Sequence, residues 1–112
     1  MKISDNVKDG KVIIALEGKV MGGPDATTFH GKLHEYVTSG QKQIIIDLAK
    51  VEWMSSVGLG MLISAMTTMK NAEGELKLAN VTESIESLLT ITRLITIFKA
   101  YDSIDEAIAA FE

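Results

Sequence analysis

Apolar residues follow two rhythms along this chain. Val12-Ile13-Ile14-Ala15-Leu16 and Gln43-Ile44-Ile45-Ile46-Asp47-Leu48 are short, β-branched and almost unbroken, so they predict strands, the second one covered on both faces. Lys2 to Val7 predicts a short edge strand, and Asp9-Gly10 supplies the hairpin turn that joins it to the next. Between these runs the period changes to that of a helix. Ala26, Phe29, Leu33 and Val37 mark one helix that stops at Gly40, with Pro24 at its first position and Asp25 in its first turn. Leu59, Leu62, Ile63, Met66 and Met69 mark another as one apolar stripe, running from about Gly58 to Asn71 and closed by Glu73-Gly74.

The alternation continues to the end of the chain. Leu76 to Ala79 is a strand, and Thr82 caps a helix carrying Ile85, Leu88 and Leu89. A turn through Thr92-Arg93-Leu94 leads to Ile97-Phe98-Lys99-Ala100-Tyr101. Ser103 and Glu106 then form a capping box for a terminal helix that buries Ile104, Ala107, Ile108 and Phe111. A hairpin followed by alternating α and β predicts an α/β fold with a mixed, mostly parallel sheet.

Composition narrows what such a fold does. A chain of 112 residues makes one domain, residues 1–112, able to bury roughly two-thirds of its unfolded surface. At 46% hydrophobic and 23% charged it is an ordinary folded globule. Eleven basic against fifteen acidic residues give a net charge of −4, which lacks the basic footprint of direct nucleic-acid binding. The absence of cysteine excludes disulfides, thiolate catalysis and zinc–cysteine sites. No apolar run approaches a membrane span, so a cytoplasmic protein with no membrane partner is expected.

Candidate chemistry concentrates in Val51-Glu52-Trp53-Met54-Ser55-Ser56-Val57-Gly58-Leu59-Gly60, where a strand turns through two hydroxyls into a helix. Ser56 is the expected helix N-cap. Gly58-Leu59-Gly60 has half of a dinucleotide fingerprint, but Ile63 occupies the third glycine position, so both glycines are expected to serve close packing instead. His30 and His34 share a helix face, yet two ligands are too few for a metal. Asp47 has no acidic companions for a response-regulator site, and Ser56 has no predicted base beside it for hydrolysis. No cofactor and no metal are expected. What stays chemically open to Ser56 is accepting a phosphoryl group. The helix start has free N–H groups and a positive dipole end that tolerate the phosphate, whereas the added charge of about −1.5 to −2 repels a close-packed partner.

The stretch Ile44 to Leu62 resembles the signature of STAS domains, and specifically of bacterial anti-sigma-factor antagonists. The resemblance extends to Gly18, to Thr92-Arg93-Leu94-Ile95 and to Tyr101-Asp102-Ser103-Ile104-Asp105-Glu106-Ala107, so it spans nearly the whole chain. It implies a sheet of four to five strands with about four helices. It also implies partner switching: the unphosphorylated protein binds an anti-sigma factor that is itself a serine kinase, phosphorylation ends that binding, and a metal-dependent serine phosphatase restores it. Aligned on Gly58, the acceptor is Ser56, with Ser55 as the neighbouring alternative. This protein is then a substrate and not an enzyme. Its binding surface is expected to comprise Trp53, Met54, Ser55, Ser56, Val57, Gly58 and Met61, with the loop Gly22, Gly23 and Asp25 beside it.

Three residues depart from the family pattern. Ser55 stands where an aspartate is common, and Lys19-Val20-Met21 follow the early glycine where an acidic residue is usual. Arg93 replaces a glycine, at a cost of about 1 kcal/mol if the backbone there is left-handed. Two other readings remain: a STAS scaffold that is never phosphorylated, and a small serine hydrolase or nucleotide-binding enzyme.

Overall fold

Strands β1 (Lys2–Lys8) and β2 (Lys11–Val20) form the hairpin that Asp9-Gly10 announces, with both turn residues at positive φ, 53° and 78°, as a primed turn requires. In the computed structural model, which describes residues 1–111, the chain continues as helix α1 (Pro24–Thr38), strand β3 (Gln43–Met54), helix α2 (Ser56–Asn71), strand β4 (Glu75–Ala79) and helix α3 (Glu83–Ile91). A short 3-10 turn at Leu94–Thr96, strand β5 (Lys99–Tyr101) and helix α4 (Ile104–Ala109) complete it. The sheet has five strands in the order β1-β2-β3-β4-β5. Only β1 is antiparallel to its neighbour; the other pairs are parallel. This is the expected mixed, mostly parallel α/β architecture.

Strand alternation divides the sheet into two unequal faces. Ile14, Leu16, Ile44, Ile46, Leu48 and Leu78 meet the apolar sides of α1, α2 and α3 in the larger core, centred on Phe29, Leu33, Leu62 and Leu89. Ile13, Ile45 and Ala79 point the other way and are covered by Ala107 and Ile108 of α4. That arrangement explains why Ile44-Ile45-Ile46 is apolar without a break: both of its sides are fully buried. Most of the expected termini are present. Gly40 at φ 93° closes α1, Thr82 Oγ1 accepts the Ile85 N–H at 3.3 Å, and Ser103 Oγ accepts the Glu106 N–H at 3.1 Å.

Three local expectations change, and the condition set for Arg93 is met. Strands β2 and β3 run on to Val20 and Met54, because they keep pairing through two register shifts, after Ala15 and after Gly18, instead of breaking at Gly18 and Leu48. At the end of α2 it is Glu73, not Gly74, that adopts positive φ at 60°. Gly74 is needed for space, since a Cβ there would lie 2.5 Å from Met69 Cε and 2.7 Å from the Lys42 carbonyl oxygen. Ile63 leaves the apolar stripe of α2 and is 40% exposed, one helical step of about 100° past buried Leu62. Arg93 does take the left-handed conformation at φ 63°, so its family glycine position is occupied at the anticipated cost.

Candidate functional site

The β3–α2 turn is built by β2. The Val20 carbonyl accepts the Ser55 N–H at 3.0 Å, which ties the turn to the end of the neighbouring strand. Gly58 lies against the same carbonyl: an added Cβ would stand 2.1 Å from it, so only glycine lets the first turn of α2 sit there. A Cβ added to Gly60 would meet nothing within 4 Å, so the expected packing role belongs to Gly58 alone. A nucleotide-loop role for the pair has no structural need, because Gly58 already has a packing reason.

The two serines divide their work, and not as the sequence predicts. Ser55 is the N-cap: its Oγ accepts the Gly58 N–H at 3.0 Å and its carbonyl accepts the Leu59 N–H at 2.8 Å. Ser56 is instead the first helical residue. β3 reaches Met54 before the chain turns, so the extended cap conformation falls on Ser55, at φ −80° and ψ 171°. Ser56 is exposed, and its hydroxyl has no hydrogen-bond partner among the described residues. The N–H groups of the first helical turn lie beside it.

Around that hydroxyl the surface is unusually apolar. Val57 is 62% exposed, Met21 54% and Trp53 47%, and Ile63 joins them two turns along α2. The loop Gly22-Gly23-Pro24-Asp25 lies against Val57, as shown by the 2.5 Å that would separate a Cβ at Gly22 from Val57 Cγ1. The outward side of α2 carries Ser56, Gly60, Ile63 and Thr67, which share one helical face. Of the residues assigned to the surface, Trp53, Ser56, Val57, Gly23 and, in part, Ser55 and Asp25 are accessible. Met54, at 4% exposure, Met61, at 3%, Gly58 and Gly22, which packs under Val57, are buried and belong to the support below it. The bulged β2–β3 register turns Trp53 outward and Met54 inward, and Met61 lies on the core side of α2. Met21 and Ile63 are additions that the structure makes to this surface, Ile63 because it lies at the edge of the stripe that the sequence assigned it to.

Other candidates fall away from this site. His30 is partly buried and tilts against Phe29, with ring centroids 5.5 Å apart, and no cluster of three or more metal-ligating side chains exists among the described residues. Asp47 accepts hydrogen bonds from Asn80 Nδ2 at 2.9 Å and from the Ala49 N–H at 3.1 Å, so it ties the middle of β3 to the end of β4. The perturbed titrating groups lie outside the turn: Lys8 is raised by its bond to Asp105 of α4, and the other three meet where β1 meets α1. There Lys32 Nζ donates to Asp5 at 2.8 Å and Tyr36 donates to its other oxygen. The bonds from Lys32 and then Tyr36 hold the Asp5 carboxyl below its ordinary value, and the same partnership raises Tyr36 and Lys32.

Among the described residues no helix is long and apolar enough to cross a membrane. The chain is 27% identical over 112 residues to BtrV of Bordetella bronchiseptica, a protein provisionally named an anti-sigma factor antagonist, covering 100% of this chain and 96% of that one. Its fold matches the crystal structure of a Thermotoga maritima protein given the same provisional description, with a TM-score of 0.86, 26% identity and coverage of 96% and 92%. SpoIIAA, an anti-sigma factor antagonist and Bacillus cell fate determinant, shares the fold at 18% identity. Its unphosphorylated form has a TM-score of 0.74 over 98% of this chain and 97% of that one, and its phosphorylated form 0.77 over 99% and 100%. The family model for the STAS domain matches residues 2–107, and the chain therefore belongs to the STAS domain family.

Proposed function

We propose that this protein is an anti-sigma-factor antagonist whose partner binding is switched by phosphorylation of Ser56. The observation that carries the reading is a hydroxyl without a partner at the start of a helix, on a stretch of surface that also exposes Met21, Trp53, Val57 and Ile63. Large apolar side chains left in water around a polar centre mark a surface that another protein covers. Gly60 supports this: it costs α2 roughly 0.5–1 kcal/mol relative to alanine, meets no packing need, and keeps the outward face flat for close approach. The names of the similar proteins point to an anti-sigma factor as the partner.

The switch follows from electrostatics. Phosphate on Ser56 adds about −1.5 to −2 charge and accepts hydrogen bonds from free N–H groups of the first helical turn, while the macrodipole offsets part of the charge. The helix keeps its cap, because the cap is Ser55. That a STAS fold holds with a phosphoryl group is illustrated by the phosphorylated form of SpoIIAA. A partner seated on Val57 and Trp53 must desolvate that charge, so it dissociates. In this reading the anti-sigma factor is the serine kinase, a metal-dependent serine phosphatase reverses the step, and the chain itself is a cytoplasmic substrate.

Incubation with ATP and an anti-sigma factor of the serine-kinase type from the same organism should add one phosphoryl group, located at Ser56 by fragment mass spectrometry. Ser56→Asp should keep the circular dichroism of the parent and bind the anti-sigma factor at least about a hundredfold more weakly. Unmodified protein together with unchanged affinity would leave the non-phosphorylated scaffold as the function.

A further inference from the structure

β5 is the outermost strand on its side of the sheet and pairs only with β4. Between it and α3 opens a cleft of about 280 Å³, floored by buried Leu89 and Phe98 and walled by Ile95, which is 39% exposed. Glu86 of α3 and Asp102, just past β5, stand at its mouth. Both are exposed, and neither has an ion-pair partner among the described residues. An apolar floor, an acidic mouth and a strand edge with no neighbour therefore lie together, away from the Ser56 turn.

We infer that this cleft docks an extended segment of a partner protein with the pattern basic–x–apolar–x–basic, added beside β5 as a sixth strand. The pattern comes from strand geometry. Ala100 is in register with Leu78, so its side chain faces the helices and the cleft, while Lys99 and Tyr101 face the α4 side. A residue of an added strand opposite Ala100 points the same way, into the cleft, where Leu89 and Phe98 call for an apolar side chain. Its neighbours two positions away share that face, and one of them stands beside Asp102 in whichever direction the segment runs. Glu86 overhangs the same mouth. A lysine or arginine at that spacing gains charge-assisted contacts, whereas one shifted by a single residue points to the opposite face. This is strand addition with one side-chain pocket, a recognised mode of peptide capture. It does not depend on the role of Ser56.

Titration of the isotope-labelled full chain with the peptide Thr-Lys-Thr-Leu-Thr-Lys-Thr, blocked at both ends, tests the inference by amide NMR. Shifts are expected at Leu89, Phe98, Ala100 and Asp102. The peptide Thr-Thr-Lys-Leu-Lys-Thr-Thr, identical in composition and charge, should bind about tenfold more weakly or worse, and so should the first peptide to a Glu86→Gln, Asp102→Asn double variant. Equal affinity for the two peptides would reduce the effect to general attraction and overturn the inference, as would an absence of shifts at the cleft up to millimolar peptide. Concentration-dependent sedimentation abolished by Asp102→Lys would also overturn it, by making a second copy of the chain the occupant.

Discussion

Two polar places on this molecule differ in kind. Where β1 crosses α1, Asp5, Lys32 and Tyr36 occupy one another: both carboxylate oxygens accept a bond, and all three groups are only partly exposed. At the β3–α2 turn, Ser55 is used and Ser56 is not, and the side chains around Ser56 are exposed and apolar. The first arrangement is complete within the chain and serves to hold an edge strand onto a helix. The second is incomplete within the chain, and its remaining hydroxyl and apolar side chains are completed by something else. A polar group with all its partners in the same molecule argues for architecture; one that leaves a reactive group idle in an apolar setting argues for function.

The largest effect expected from testing this contrast is at the support of the turn. Gly58→Ala forces a methyl against the Val20 carbonyl and should destabilise the fold by about 3 kcal/mol in urea titration, since neither backbone can yield independently. A shift well under 1 kcal/mol would show that the turn is pliable. Next comes the division between the serines. Ser55→Ala removes the cap and should cost about 1 kcal/mol, whereas Ser56→Ala should leave stability within about 0.5 kcal/mol and alter only phosphorylation. Equal losses would erase the distinction.

The smallest effect belongs to the clamp and is recognised by its pH dependence. The folded Asp5 carboxyl lies below its unfolded value, so its contribution is fully present above the unfolded value of about 3.9 and is lost as pH falls through the lower folded one. Asp5→Asn should therefore lower the melting temperature at neutral pH by a few degrees, and the gap should close as acid protonates the parent. A gap that persists unchanged in acid would show that the clamp works by packing instead of charge.

Much of the fold is legible in the sequence, for identifiable reasons. The Asp9-Gly10 turn, the Thr82 and Ser103 caps and the continuous Ile44-Ile45-Ile46 run are local signals, each depending on a few neighbouring residues, and each appears in the structure. The departures cluster where a neighbour across the sheet intervenes. Sequence treats Trp53 and Met54 alike and makes Ser56 the cap, because nothing within β3 reveals that it stays paired with β2 to its last residue.

The sequence by itself determined the order of strands and helices, most of the cap and turn residues, and the position of a hydroxyl at a helix start. Those depend on backbone preferences and hydrophobic period, which are properties of short windows. Only the tertiary structure decided which serine caps and which is idle, that Gly58 and not Gly60 is there for space, and which apolar residues near them stay in water. The cap at Ser55 and the space needed at Gly58 both turn on the Val20 carbonyl and the shifted register that places it. A short window around Ser55 cannot encode a contact made by Val20, which lies before α1 in the chain.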